Sequence, residues 1–248
     1  MPDWLTPEVR EQLVDGVLVT VWLTLLTSLG SLVLGVLAAL GRSSPTRWKR
    51  RLAGMFVETF RNIPALILII FFAFAVPNVV SPERRKALFF DNEIVDGISS
   101  ITGLPLPYYA IAAGFALTLN TAGHMAEIVR SGFGSVPASR VDAARSLGAS
   151  HGAALRTVVI PHGIRVAFPA ISNRLIHNMK NTSLASFVAV PELFQVIQGS
   201  ITRTFRATEF LFLAALLYLS LSSVMTVGLS GLGRWLWRKQ PELGGHHG

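Results

Sequence analysis

Cysteine is missing from the whole 248-residue sequence, and charged residues make up only 15% of it. The absence of cysteine excludes disulfide frameworks, thiolate catalysis and cysteine-ligated zinc or iron–sulfur sites. Soluble domains average about 25% charged residues, whereas this chain is 51% hydrophobic with a mean hydropathy of +0.50. Because so few charges cannot cover the exterior of a chain this long, much of that exterior is expected to face lipid. The composition therefore argues against a soluble enzyme.

Acidic residues are also scarce, with 14 Asp and Glu against 22 Lys and Arg, which gives a net charge of +8. In a soluble protein this excess would suggest binding to nucleic acid. In a membrane protein it is typical of basic cytoplasmic loops that lie beside anionic lipid. We favour the second interpretation and expect no nucleic-acid partner.

Uncharged stretches locate the membrane spans, because a helix needs about 20 apolar residues to cross the bilayer. Four such stretches occur, at residues 16–41, 62–82, within 97–126 and at 210–233. The second is expected to extend backwards over residues 55–57. A fifth candidate, at about residues 166–190, is interrupted by Arg174, His177 and Lys180.

The distribution of basic residues predicts the orientation, since Lys and Arg close to a span resist translocation. Most of them lie after the first span, between the third and fourth spans, and in the tail. This asymmetry fits five spans with the N-terminus outside and the C-terminus in the cytoplasm, and it fits four spans less well. The predicted parts are an external amphipathic segment at residues 1–15, a transmembrane domain at 16–233 and a cytoplasmic tail at 234–248. The acidic N-terminal segment does not resemble a signal peptide.

A short helix, a sharp turn and a second helix are predicted between the third and fourth spans. Ser139 and Asp142 form a capping-box pattern that starts a helix, and Gly148 supplies the left-handed residue that ends it. The second helical stretch is expected to run from about His151 to Pro161. By itself, this pattern is typical of a helix lying at the membrane surface.

The same segment resembles the EAA loop of the membrane subunits of ATP-binding-cassette (ABC) importers. Asp142-Ala-Ala is followed after three residues by Gly148 and after nine more by Val158-Val-Ile-Pro161. This is the family's spacing, with Asp, Val and Ile in place of the usual Glu, Ile and Leu. In that family the loop forms a coupling helix that sits in a groove of the ATPase subunit and transmits its closure to the membrane helices. The resemblance implies a coupling loop at residues 131–165, with Asp142, Ala143, Ala144, Gly148 and Pro161 as its coupling residues.

Other segments resemble the polar amino-acid branch of these permeases, and the resemblance covers about residues 14–240. The matching segments are residues 58–64, 126–132, 136–137, 180–184 and 190–193. The Phe-Arg-Asn-Ile-Pro form of the first one, the external segment at 78–107 and the tail near Pro241 look most like a glutamate/aspartate permease subunit. Permeases for glutamine, cystine and basic amino acids share most of these motifs. The implied fold is that of a type I ABC importer: an all-α, polytopic membrane protein of five transmembrane helices with a cytoplasmic coupling helix.

The fourth span is too polar to face lipid, because each charge near the bilayer centre costs about 2.5–3.5 kcal/mol even on a permissive scale. Asn173, His177 and Lys180 share one helical face. They could line a path that binds the carboxylate and ammonium groups of an amino acid, or they could join helices and pair with Glu127. The predicted pathway residues are Asn62, Asn120, Lys180, Asn181, Thr182 and Ser183. For two of them other roles stay open: Asn62 could cap backbone, and Asn120 could make a hydrogen bond between helices.

The resemblance and the missing motifs together predict the partners. No lysine follows a glycine, as a phosphate-binding loop would require, so the ATP and magnesium are expected on a partner ATPase. The histidines show no spacing suited to a metal. We therefore expect no cofactor and no catalytic residue in this chain. The implied partners are an ABC ATPase dimer, a second permease subunit (a paralogue or an identical copy), a periplasmic or extracellular substrate-binding protein, an amino-acid substrate and membrane lipid.

The sequence thus predicts a multi-pass permease subunit in the bacterial inner membrane that imports polar amino acids, with glutamate or aspartate favoured. One alternative is an ion-coupled secondary transporter, although the inverted repeats and broken paired spans usual in such folds are not evident. Another is a membrane-embedded enzyme or a structural subunit, in which the polar span would be an active site or an interface.

Overall fold

The computed structural model describes residues 4–90, 93–102 and 106–238, and all regular structure in these residues is helical. Residues 1–3 of the predicted N-terminal segment and 239–248 of the predicted tail lie outside this set. The α-helices are α1 (Pro7–Arg42), α2 (Arg47–Asn62), α3 (Ala65–Ile70), α4 (Val76–Asn78), α5 (Pro82–Phe90), α6 (Glu93–Thr102), α7 (Tyr108–Gly134), α8 (Ala138–Ser146), α9 (His151–Ala154), α10 (Ile160–Asn181), α11 (Leu193–Thr204) and α12 (Ala207–Trp237). A π-helical turn (Phe71–Ala75) joins α3 to α4, another (Leu155–Val159) joins α9 to α10, and a 3₁₀ segment (Thr182–Val188) continues α10.

Helix α7 forms the centre of the bundle and packs against α1, α2, α3 and α10. Its small residues allow this close packing, and Ala113, Ala116 and Ala122 have no exposed surface. Two apolar clusters flank the helix, one towards α1 and α3 and the other towards α1 and α10. The core therefore lies around α7 and not between two separate halves of the chain.

Three helical segments of the described chain are long and apolar enough to cross a membrane: α1, the continuous His151–Val188 helix, and α12. The bent pair formed by α2 and residues 65–78 would make a fourth. Helix α7 is not among these segments, and most of its surface meets other helices. The arrangement of five spans therefore stays a prediction.

The second predicted span differs from a straight helix. The chain bends by 102° between α2 and the helix that follows it. Ile63 is extended at the bend, with φ −86° and ψ 128°, because the ring of Pro64 disfavours a helical conformation in the residue before it. Residues 55–57 therefore belong to α2, on the other side of the bend from the apolar run. The predicted extension of the span over them stays a prediction, and it would make the span a bent one.

Helix α1 shows how hydroxyl groups are accommodated in a span. Thr20, Thr24 and Thr27 are buried, and each hydroxyl donates to the carbonyl four residues earlier, at 2.9, 2.7 and 2.6 Å. The opposite face exposes leucine and valine at helical spacing, as expected for a surface in contact with lipid. This confirms that these hydroxyl groups are hydrogen-bonded within the helix, so none of them needs a partner from the lipid.

Helices α7 and α10 touch through two glycines. A Cβ atom added at Gly132 would lie 2.8 Å from Cβ of Ala167, and one added at Gly163 would lie 2.7 Å from Cδ1 of Phe133. Small residues let helix backbones approach closely in membranes, where packing and not the hydrophobic effect holds helices together. The crossing therefore depends on the absence of side chains at both positions.

We expect Gly132→Ala to lower the free energy of unfolding by about 1–3 kcal/mol, because the added methyl group overpacks the crossing. Gly134→Ala is the matched control, since nothing lies within 4 Å of a Cβ atom at that position. Thermal unfolding of both variants in detergent measures the difference. Equal melting temperatures would contradict the close packing described here.

Candidate functional site

The loop between α7 and α10 contains two short helices, as predicted, but the first begins differently. Helix α8 starts at Ala138 directly after Pro137, and no side chain caps it. Ser139 therefore lies inside the first turn, and the predicted capping box is wrong. Proline suits the start of a helix because its φ is already fixed near the helical value. A side-chain cap occurs instead on α9, where Oγ of Ser150 accepts from the backbone N–H of Ala153 at 3.2 Å.

Gly148 ends α8 as predicted. Its φ is +87°, in the left-handed region that favours glycine. The N–H of Gly148 donates to the carbonyl of Arg145 at 2.9 Å, and the N–H of Ala149 donates to that of Ala144 at 3.1 Å. These two bonds form a Schellman motif, which satisfies carbonyl groups at the end of the helix.

The second helix of the loop does not end at Pro161, which corrects the sequence prediction. It continues into α10 after the π-helical turn Leu155–Val159. A proline ring would clash with the carbonyl four residues earlier in a regular α-helix, and a π-turn widens the backbone there. One helix therefore runs from His151 to Val188, and it connects the loop directly to the polar part of α10.

Four of the predicted coupling residues lie in α8 and the turn that follows it, whereas Pro161 lies in the first turn of α10. Asp142, Ala143, Gly148 and Pro161 are exposed, and Ala144 is half-buried. Leu147, which the sequence analysis did not single out, is 90% exposed beside them. The only sequence signal for an exposed leucine here is its position, between the end of α8 and the left-handed residue Gly148.

An ionic network joins α1, α2 and α7 at the same end of the bundle as the loop. Arg42 lies 2.9 Å from Glu127 and 3.6 Å from Glu58, and Arg61 lies 3.1 Å from Glu58. Arg130 also donates to Glu127. Glu127 is thus paired with arginines and not with Lys180. The network holds the amphipathic helix α2 against the two longer helices.

Asn178 joins three helices inside the bundle. Its side chain has no exposed surface. Oδ1 accepts from the hydroxyl of Thr121 at 2.8 Å, and Nδ2 donates to the hydroxyls of Thr27 and Ser28 at 2.8 and 3.3 Å. This part of the polar fourth span therefore has the structural role that was kept as the alternative to substrate binding.

Asn120, one of the predicted pathway residues, is also buried and bonded within the protein. Its Nδ2 donates to the carbonyls of Phe60 and Ile63 at 3.0 and 3.1 Å, and its Oδ1 accepts from Nη2 of Arg174 at 2.9 Å. These bonds tie α7 to the bend after α2 and to α10. Asn62 lies next to this bend, is exposed, and donates to Glu58 at 3.2 Å.

Lys180 and Ser183 meet at a cavity of about 390 Å³. The other lining residues come from α11 and α12 and are Phe194, Leu211, Ala214, Ala215 and Tyr218. Lys180 is exposed, whereas Thr182 is buried and donates to the carbonyl of Met179 at 2.7 Å. Asn181 is half-buried. Of the four consecutive pathway candidates, two therefore line one cavity, which offers an ammonium and a hydroxyl group to a small polar molecule.

A buried carboxylate fixes the wall of this cavity. The hydroxyl of Tyr218 donates to Glu192 at 2.7 Å, and Glu192 also accepts from the backbone N–H of Gln195 at 2.8 Å. The N–H of Leu193 donates to the hydroxyl of Thr20 at 3.1 Å. Helices α1, α11 and α12 are thereby joined. The sequence analysis quoted this glutamate only as part of a motif, because its spacing does not show which partners it meets.

No group of three or more His, Asp or Glu side chains in the described parts of the chain could hold a metal ion. The groups gathered at the Lys180 cavity and near Arg174 are suited to hydrogen bonding and charge pairing with an organic ligand.

Comparison with known proteins gives a family match over most of the chain. Residues 31–236 match the family described as "Binding-protein-dependent transport system inner membrane component". The "Probable glutamine ABC transporter permease protein GlnP" of Bacillus subtilis is 32% identical over 211 residues, which cover 84% of this chain and 86% of the relative. The "Histidine/lysine/arginine/ornithine transport system permease protein HisM" of Escherichia coli is 29% identical over 91% of this chain and 90% of its own length.

A third relative is the "Glutamate transport system permease protein GluC" of Corynebacterium glutamicum, which is 28% identical over 74% of this chain and 75% of its own length. Among solved structures, one described as "Crystal structure of an amino acid ABC transporter with histidines" aligns with a TM-score of 0.72. It is 24% identical and covers 92% of this chain and 95% of that chain. This alignment supports the all-helical fold described above.

We expect Glu127→Ala to destabilise the bundle, because the change removes the carboxylate that Arg42 and Arg130 share. An exposed single ion pair contributes about 0–1 kcal/mol, so Glu209→Ala is the control: it removes one exposed pair with Arg206 at 3.6 Å. Tryptophan fluorescence during thermal unfolding in detergent compares the two variants. If both melted like the unchanged protein, the network would not hold α2 in place.

Proposed function

This chain belongs to the family of binding-protein-dependent transport system inner membrane components, and from that membership we propose that it carries a polar amino acid into the cell, with glutamate or aspartate favoured. The chain is the permease subunit of an ABC transporter, a membrane component without catalytic activity or a cofactor of its own. Its contribution to import is therefore to offer a path and to respond to a partner ATPase.

The charge of α10 supports an acidic substrate. Its 22 residues include Arg165, Arg174 and Lys180 but no Asp or Glu. A path lined by one sign of charge attracts the opposite sign and raises the free energy of a like-charged molecule inside it. The relatives are named for glutamine, for basic amino acids and for glutamate. Within that range, the ammonium group of Lys180 at the cavity favours glutamate or aspartate over lysine or arginine and leaves glutamine as the neutral alternative.

The exposed tip of the α8–α9 loop supports a mechanical coupling to the ATPase. In the proposed mechanism, residues 131–165 form the coupling loop, and Asp142, Ala143, Ala144, Gly148 and Pro161 lie at the contact with the ATPase. ATP binding closes the paired ATPases and draws the two loops of a permease pair together. Since one helix connects the loop to Lys180, a displacement of the loop is transmitted along that helix to the cavity. The site then opens outward, accepts substrate from the binding protein, and reopens inward after hydrolysis.

The proposed topology has five spans, with the N-terminus outside and the C-terminus in the cytoplasm of a bacterium with an inner membrane. Helix α7 is the span that brings the number from four to five, and it is the third along the chain. Its central position among the apolar helices supports this assignment. Residues 1–15 form the external segment, 16–233 the permease domain and 234–248 the cytoplasmic tail. The proposed partners are an ATPase dimer, a substrate-binding protein and a second permease subunit.

The substrate proposal predicts ATP-dependent uptake of labelled glutamate by proteoliposomes containing the complex purified with its ATPase and binding protein. We expect Lys180→Met to reduce this uptake about tenfold or more, because a hydrogen bond to a charged group is lost from the path. Lys49→Met is the control, since Lys49 is exposed on α2 and away from the cavity. Normal uptake by Lys180→Met would reject the pathway role. Uptake of glutamine or a basic amino acid in place of glutamate would reject the acidic substrate.

The coupling proposal predicts that Gly148→Pro abolishes uptake and the stimulation of ATP hydrolysis by loaded binding protein. Proline fixes φ near −65° and cannot adopt the +87° observed at this turn. Gly152→Ala is the control, because that glycine has ordinary helical geometry and open space around it. The measurement is ATPase activity with and without binding protein. Full stimulation in Gly148→Pro would show that the turn does not contact the ATPase.

A further inference from the structure

Arg174 is a partly buried cation without a carboxylate partner. Its Nη2 donates to Asn120 at 2.9 Å, and its Nε is buried and makes no hydrogen bond. Across residues 4–90, 93–102 and 106–238, no Asp or Glu lies within ion-pairing distance of this guanidinium. Buried charges in proteins are normally paired, because removing an ion from water without compensation carries a large free-energy penalty.

The position of Arg174 makes this absence more significant. Asn178 lies one helical turn further along α10, and it contacts Thr27 and Ser28 near the middle of α1. One turn is about 5.4 Å, so Arg174 lies close to the centre of the proposed membrane region. An ionisable residue at that depth is rare and generally marks a path for a substrate or an ion.

The titratable side chains shown to interact electrostatically with Arg174 are two histidines. Arg174 interacts electrostatically with His124 on α7 and with His177 on its own helix. Arg61 also interacts with His124. Lys180 acts on His177 in turn. Neither histidine can neutralise a guanidinium, and the carboxylate of Glu58 is already paired with Arg61.

Asn120 holds the guanidinium in a defined orientation. Its two N–H donors are used by the carbonyls of Phe60 and Ile63, so its oxygen must point towards Arg174. An arginine side chain offers five N–H donors in a rigid fork. One donor is engaged by Asn120, and the fork retains the pair of parallel N–H groups that bind a carboxylate with two hydrogen bonds.

We propose that Arg174 binds a carboxylate group of the transported amino acid near the middle of the membrane, and that Asn120 is its positioning residue. The inference rests on the proposed function and adds a specific contact to it. The Lys180 cavity lies further out along α10, and Arg174 lies on its cytoplasmic side. Substrate that leaves the cavity towards the cytoplasm therefore meets Arg174 as its next cationic contact.

Uptake by the complete complex in proteoliposomes tests this proposal with Arg174→Gln and Arg174→Lys. We expect Arg174→Gln to reduce uptake about tenfold or more, because the charged hydrogen bonds to the carboxylate are lost. Arg174→Lys keeps the charge but not the fork, so it should raise KM with less effect on the maximal rate. Arg206→Gln is the control for the loss of one positive charge, since Arg206 is exposed beside Glu209.

ATP hydrolysis stimulated by the binding protein is measured on the same preparations and should survive in both Arg174 variants, because the coupling loop is unchanged. Unchanged uptake in Arg174→Gln, or an unchanged KM in Arg174→Lys, would overturn the proposal. Loss of the second permease subunit from Arg174→Gln during purification would also overturn it, because the missing anion would then belong to the neighbouring chain. If Arg174→Gln fails to assemble at all, the KM of Arg174→Lys decides the question.

The assay separates this proposal from the choice of substrate. Every amino acid has a carboxylate, so the variants are compared with whichever labelled amino acid the unchanged complex transports. A wild-type complex that carries glutamine and not glutamate rejects the acidic assignment, while the comparison of variants still tests Arg174. A wild-type complex that moves no amino acid rejects the proposed function, and the Arg174 proposal fails with it.

Discussion

A polar group surrounded by lipid has no water to bond with, so every such group in this bundle needs a partner in the protein. The threonines of α1 use carbonyls of their own helix, Asn178 uses hydroxyls from α1 and α7, and Glu192 uses Tyr218 and a backbone N–H. These bonds determine which helix faces turn inward. The apolar faces that remain can then lie against lipid or against one another.

The same requirement distinguishes polar side chains of α10 that join helices from those that are available to bind substrate. Asn178 is fully satisfied and joins helices, whereas Lys180 is exposed at a cavity and Nε of Arg174 has no acceptor. The three side chains lie within two helical turns of each other and look alike in sequence. Their different environments arise because α7 covers one face of α10 and leaves another open.

The sequence was sufficient for elements whose signal is local. Hydropathy predicted α1 and α12, and Gly148 predicted the end of α8, because a left-handed residue can be inferred from the residue type. The bend at Ile63 has a local signal in Pro64, but the long apolar run concealed it. The π-turn before Pro161 had no comparable signal, since the proline was expected to end the helix. Asn120 could not be assigned from spacing, because its backbone partners lie 57 and 60 residues away.

Helix α7 carries a consequence for how the protein is made. It is not among the segments that are apolar enough to cross a membrane by themselves, and neighbouring helices cover most of its surface. One of those neighbours, α10, is synthesised later, so Asn120 and Thr121 lack their side-chain partners Arg174 and Asn178 when α7 leaves the ribosome. A nascent helix in that condition partitions poorly into lipid by itself. The polar groups of α7 therefore gain these side-chain partners only when α10 joins the bundle.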